Sequence, residues 1–136
     1  MALDPKNRLT STNLILNASR ATNNTAGLGV DLKGYTTGPV AVVVDIGTKT
    51  AGDNDGSVTV QLQSSASNSA AAASNVSGAS VTTTNNTTST SMIQLDPRAV
   101  SRYLFARVIL AGTNSPAYPV SAVVIGEKQS QSISGA

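Results

Sequence analysis

The sequence predicts an all-β fold, a sandwich or jelly roll of about eight short strands, and three observations lead there. The chain is rich in Thr, Ser, Asn, Ala and Val, and only 12% of its 136 residues are charged. Its apolar residues fall in short runs with period-2 or near-continuous patterning, the mark of strands. Gly, Pro, Asn and Asp punctuate those runs with turns, and no strand–helix alternation of the βαβ kind is visible. At this length one core can form, so we expect a polar N-terminal arm over residues 1–10, a β-sandwich domain over 11–127 and a polar C-terminal tail over 128–136.

The first strand is expected around Leu14–Leu16, and a weak one over Gly27–Leu32, before Pro39 closes that region. Val40–Ile46, "VAVVVDI", is so continuously apolar that it predicts burial on both faces. The segment "GTKTAGDNDGS" reads as a turn, since Gly reaches positive φ and Asp bonds to nearby backbone. Ser57–Gln63 is the cleanest alternating strand, with Val58, Val60 and Leu62 on one side and Ser57, Thr59, Gln61 and Gln63 on the other. Residues 64–91 are dominated by Ser, Ala, Asn and Thr, and we expect two irregular strands and an exposed loop there. After a turn at Asp96–Pro97, a long strand over Val100–Ala111 should lie near the centre of a sheet or in a subunit contact. The same residues also fit a helix capped by Asp96 and opened by Pro97. "VSAVVIGE" is the final strand.

Composition excludes several functions. With no His and no Cys, the chain lacks the two side chains best suited to proton transfer and nucleophilic attack near neutral pH. No G-x-S-x-G elbow is present, and aromatic platforms for a sugar cleft are missing. An enzyme is therefore not expected, and neither is a cofactor. The most site-like motif is Asp53-Asn54-Asp55-Gly56, whose alternating oxygens resemble a Ca²⁺ loop. An EF-hand loop requires Glu six residues beyond the Gly, and that position is Leu62, so a plain hairpin turn is the better reading and no metal is expected. Asp96 and Arg98 flank Pro97, with Arg102 following, so an Arg–carboxylate fork is one way to pin this turn and solvated surface charges are the other; Asp45 is a further candidate for that network.

Nine Lys and Arg are scattered against seven Asp and Glu, without a basic stripe or interleaved aromatics, which argues against nucleic acid. Val40–Val44 is too short to span a bilayer, so no membrane is expected, and residues 1–20 do not read as a secretory signal. The absence of Cys fits folding in a reducing cytosol. The two strongly apolar strands offer more surface than one small core needs, which predicts homo-oligomerisation, most simply a homodimer.

Two segments, "VAVVVDIGTKTAGDNDGSVTVQLQSS" and "SMIQLDPRAVSRYLFARVILAGTNSPAYPVSAVVIGEKQ", with the Ser/Ala/Thr-rich bridge between them, carry a resemblance. Over roughly residues 38–129 the chain resembles the capsid cement, or decoration, proteins of tailed bacteriophages, of the type found in Bordetella phages. The shared pattern is the "DIGT…GD…D" turn, the "IQLD-x-R" turn and the "R-Y-L" strand opening. The resemblance implies a jelly-roll-like β-sandwich, made in the host cytoplasm, that binds the outer surface of the capsid in the virion. Its partner would be the major capsid protein, whose neighbouring subunits it would clamp, and dimers are common in that class. Tyr35, Arg102, Tyr103, Phe105 and Arg107 are the candidate interface residues, because buried aromatic and Arg anchors dominate binding energy. Core packing for Phe105 and rim exposure for the arginines are the competing reading. The alternative function is a carbohydrate- or receptor-binding module of a phage tail or head fibre, which an exposed Tyr35 or Tyr118 beside the Asp53 loop would favour.

Overall fold

Alternation decides the architecture. Val58, Val60 and Leu62 are fully buried, and the strand that carries them, β5 (Ser57–Ser65), turns its intervening polar residues the other way. The computed structural model describes residues 9–20, 24–25, 29–35 and 38–127, so the expected arm up to residue 8 and the tail from residue 128 lie outside the described residues. Within them the chain is all-β, with two antiparallel sheets. The first joins β1 (Leu9–Arg20), β9 (Tyr118–Glu127), β4 (Val40–Ile46) and β7 (Ser89–Leu95), in the order β1-β9-β4-β7. The second runs β2 (Asn24–Thr25), β8 (Tyr103–Ala111), β5 and β6 (Ser74–Thr84), and the two-residue β3 (Val30–Asp31) also pairs with β8.

The core is shared between the two inner faces. Val40, Val42, Val44, Ile46, Val120, Ala122 and Val124 come from the first sheet; Val58, Val60, Leu62, Leu104, Ala106 and Val108 come from the second. Branched side chains suit this arrangement because their restricted rotamers interdigitate on a pleated surface. Each such Val, Leu or Ile contributes about 1.5–3 kcal/mol when fully buried. Two phenols fill the ends of the layer. Tyr35 packs beside Val40 and Gly126, and Tyr118 lies under Gly56 and Pro116.

Several expectations change. Val40–Val44 is not buried on both faces: Val40, Val42, Val44 and Ile46 point inward, Ala41 and Val43 are half-buried, and Asp45 is exposed. A central strand of a two-layer sandwich has only one inner face, and neighbours on β9 and β7 cover the other incompletely. The long strand begins at Tyr103, not Val100. Asp96 holds the preceding turn, its carbonyl accepting from the Ala99 N–H (2.9 Å) and its carboxylate from the Arg98 N–H (3.0 Å). β8 lies inside the second sheet and is a strand, not a helix. β1 extends well beyond Leu14–Leu16 and begins at Leu9, inside the expected arm, with two register irregularities against β9. Of the weak strand expected over 27–32, Val30 and Asp31 are strand and Leu32–Gly34 is a single 3-10 turn, while residues 27 and 28 lie outside the described residues. Residues 64–91 supply one whole strand, β6, the last two residues of β5, the first three of β7 and a loop that holds a 3-10 turn at Ala70–Ala72.

Candidate functional surfaces

The first surface sits at the end of the second sheet where β3, the 3-10 turn after it and the entry to β8 meet. Asp31 caps that turn by accepting from the Lys33 N–H at 2.9 Å. It also takes a bidentate fork from Arg102, Nε at 3.0 Å and Nη2 at 2.8 Å. The Arg102 guanidinium lies over the Tyr103 ring, 4.9 Å from its centre. The Arg102 fork, opposed by partial desolvation and helped by the Lys33 N–H, lowers the Asp31 pKa to about 2. Beside it lies an open groove of about 460 Å³ lined by Leu32, Lys33, Pro97, Arg98, Val100 and Arg102. Arg98 pairs with Asp96 at 3.2 Å, both exposed. The fork thus exists, but it joins Arg102 to Asp31 rather than pinning the Asp96 turn. Asp45 belongs to neither pair: it stands on β4 and accepts from the Thr90 hydroxyl at 2.8 Å.

The second surface is the Asp53–Gly56 loop. Asp55 accepts from the Thr113 N–H at 3.0 Å, and Asp53 from the Asn114 amide at 2.7 Å. The Thr113 hydroxyl lies 2.9 Å from Asp53 and 3.0 Å from Asp55, and its one proton serves them in turn. These bonds hold both carboxyls below the usual carboxylate range, Asn114 acting most on Asp53 and the Thr113 N–H on Asp55. Lys49 donates to the Asp53 carbonyl and to Asn85. Thr113 and Asn114 therefore donate to both Asp55 carboxylate oxygens and to Asp53 Oδ2, and the Lys49 ammonium takes the Asp53 carbonyl. Among the described residues no group of three His, Cys, Asp or Glu is placed to hold a metal ion. The loop is a clasp between the β4–β5 and β8–β9 connections.

The third surface is the outer face of the first sheet. Register places Asn13, Val123, Val43 and Met92 side by side in one row, with Ser11, Ile125, Ala41 and Gln94 in the next. Met92 (62% exposed) and Ile125 (36%) are the exposed large hydrophobic side chains among the described residues, and both lie here. The only charge on these strands' outward positions between Ala41 and Asp45 is Asp45 itself. Sequence reasoning reached only the Val40–Val44 part of this face, as surplus apolar surface, and passed over Met92. Its signal was Met92 standing between polar Thr90 and Gln94 on the outward phase of β7.

The predicted interface residues do not form one site. Tyr35 (2% exposed) and Phe105 (0%) are buried and present nothing to a partner in this chain. Tyr35 is in the main core. Phe105 faces outward from β8, opposite Gln63, but the backbone at Gly29 lies against its ring so closely that a Cβ there would come within 2.7 Å. The Gly29 N–H donates to Asn68 at 2.8 Å and holds this cover in place. Arg102 is exposed and Tyr103 half-buried beneath it, whereas Arg107 is exposed on the outer face of β8 opposite Gln61. Tyr118, the other aromatic of interest, is fully buried beside the Asp53 loop, and burial pushes its phenol pKa up. Comparison with protein-family models and with curated proteins finds no match for this sequence.

Proposed function

We propose that this chain is a structural virion protein, a cement protein that binds the outside of an assembled phage capsid and ties neighbouring major capsid subunits together, working as a homodimer. The observation that carries this reading is the outer face of the first sheet, nearly uncharged, with Val123, Val43 and Met92 in one row across three strands and Ile125 in the next. A rigid strand face with its apolar groups already aligned binds without ordering a long flexible segment, which keeps the entropic cost of association low. The resemblance of residues 38–129 to cement proteins selects a phage head as the partner. The strand order supports a jelly roll within the sandwich. If β2 and β3 count as one interrupted strand, eight strands remain, ordered first-eighth-third-sixth and second-seventh-fourth-fifth. That is the order of two Greek keys wrapped into two sheets, an architecture found in viral capsid and lectin domains.

No aromatic ring favours the glycan- or receptor-binding alternative. Tyr35 and Tyr118 are buried, and Arg102 covers Tyr103. Density for the intact virion at side-chain resolution tests the proposal. We expect the chain on the outside of the head at contacts between major capsid subunits. Its appearance at the tail tip, or a reproducible glycan ligand with no affinity for mature heads, would reverse the assignment.

A further inference from the structure

Among the described residues the two sheets have four edges, and three of them are irregular or built from short pieces. β1 breaks register with β9 twice, between Asn13 and Ile15 and between Ile15 and Ala18. The edge beside β8 is described as two pieces, β2 and β3, of two residues each. β6 breaks register between the partners of Gln61 and Gln63, around Gly78 at φ +74°. Irregularity and shortness are the usual protections against edge-to-edge association. β7 has neither. Its seven residues pair with β4 in unbroken register from Val40↔Leu95 to Ile46↔Ser89. They include no charged residue, no Pro and no Gly, and no other described strand pairs with the far side. The outer backbone groups of β7 therefore remain an open template. At the middle of the strand, three residues from either end, stands Met92.

We infer that β7 docks a second copy of this chain, edge to edge and antiparallel, about a two-fold axis through Met92. A two-fold contact requires a patch complementary to itself, and this strand meets that condition. Met92 faces its own copy, Thr90 lies across from Gln94, Ser91 lies across from Ile93, and no like charges meet. β7 also carries no charge pattern that would select a different strand as partner. The two four-stranded sheets then become one of eight strands. The row Asn13–Val123–Val43–Met92 runs across the axis into its own copy, doubling the apolar face without folding it away. The inference takes from the proposed function only the dimer, and its test uses no capsid.

The chain has no Cys, so Met92→Cys introduces its sole thiol. Opposed residues of an antiparallel pair lie about 4.5–5.5 Å apart at Cα, within the span a disulfide bridges. Under mild oxidation Met92→Cys should convert almost fully to a covalent dimer on non-reducing gels. Ile125→Cys on the same face and Arg107→Cys on the other sheet should stay largely uncoupled. Met92→Lys, which brings two ammonium groups together at the axis, should weaken dimerisation about tenfold or more in sedimentation equilibrium. Its far-UV circular dichroism should match the parent's. The inference is overturned if the parent sediments as a monomer at high concentration. It is equally overturned if a parent dimer persists while Met92→Cys couples no faster than Ile125→Cys, or if Met92→Lys leaves the dimer intact. A dimer that fails to bind heads counts against the cement reading alone, and a monomer that binds them counts against this inference and the proposed dimer while leaving capsid binding in place.

Discussion

Asp31 is the residue whose chemistry is most altered by the fold. The Arg102 fork, then the Lys33 N–H, lower its pKa to about 2 against partial desolvation, from an ordinary value of 3.8. Between those values the unfolded chain binds a proton that the folded chain refuses. The pair's stabilisation is therefore complete above about pH 4 and disappears as pH falls through about 2. The pair is half-exposed, so its contribution is about 0.2–1 kcal/mol after solvent screening. We expect the parent to lose that much more stability than Asp31→Asn between pH 4 and pH 2 by urea unfolding; parallel pH profiles would show the fork to be inert. Arg102→Lys should raise the Asp31 pKa in an NMR titration, because an ammonium neither forks the carboxylate nor stacks on Tyr103 in the same way. Two glycines make a second contrast. Gly52 has φ +97°, and a Cβ there would meet the Pro116 Cα at 2.5 Å. Gly78 has φ +74° with nothing within 4 Å. Gly78→Ala should cost about 1–2 kcal/mol for the backbone alone, and Gly52→Ala clearly more, in side-by-side thermal unfolding. At this scale the sequence was legible only locally. The Asp96–Arg98 contact joins residues two apart, as a turn suggests, whereas Asp31 and Arg102 are 71 apart and nothing in either neighbourhood marks the pairing.

Strands were legible where one period dominates. Val58, Val60 and Leu62 alternate with polar residues and sit inside as that pattern requires. The Val40–Val44 run has no polar phase, so its pattern does not say which face is inner, and the two-layer architecture decides. Tyr35 and Phe105 were candidates for a partner because large aromatic side chains anchor interfaces. They are instead buried within the chain, and for Phe105 the cover comes from Gly29, 76 positions away in sequence and invisible to periodicity. Met92 was passed over because an edge strand's outward phase in a Ser/Thr-rich segment looks like simple solvent exposure. The burial of Phe105 has a measurable consequence. Phe105→Ala should cost about 3–5 kcal/mol in urea unfolding, although Phe105 lies on the outward phase of β8. Arg107→Ala, two residues along the same face, should change stability by about 0.5 kcal/mol or less. Equal small effects would mean that the Gly29 cover does not seal the ring.

For the whole molecule, the sandwich offers two faces that differ in kind. The outer face of the second sheet is mostly polar, with the pairs Thr59–Thr82 and Gln61–Arg107 and the threonine Thr84; of its two aromatics Phe105 is sealed and Tyr103 lies half-buried under Arg102, and Ile109 is half-buried beside Thr59. The outer face of the first is apolar along its centre. If the chain cements a capsid, the first has the exposed large hydrophobic side chains, Met92 and Ile125, to surrender on binding, so that face should meet the shell and the Arg107 face should look to solvent. Burial of a few such side chains at each of many copies stabilises the assembled lattice by mass action while leaving unassembled subunits alone. Val123→Asp and Ile125→Glu place charges on that face without touching the inward-pointing residues on either side, Ala122 and Val124. We expect each to reduce binding to heads stripped of the protein by about tenfold or more, the cost of desolvating an unpaired charge at a packed contact, with thermal unfolding of the free chain nearly unchanged. Arg107→Glu, on the opposite sheet, should bind as the parent does. The reverse result, with Arg107→Glu failing and the first-sheet variants binding normally, would turn the molecule over on the shell. Heads saturated with the parent should also survive heating that bursts stripped heads, and heads carrying Val123→Asp at the same total concentration should burst as stripped ones do. Survival of both alike would remove cementing from the protein's role even if it were found on the capsid.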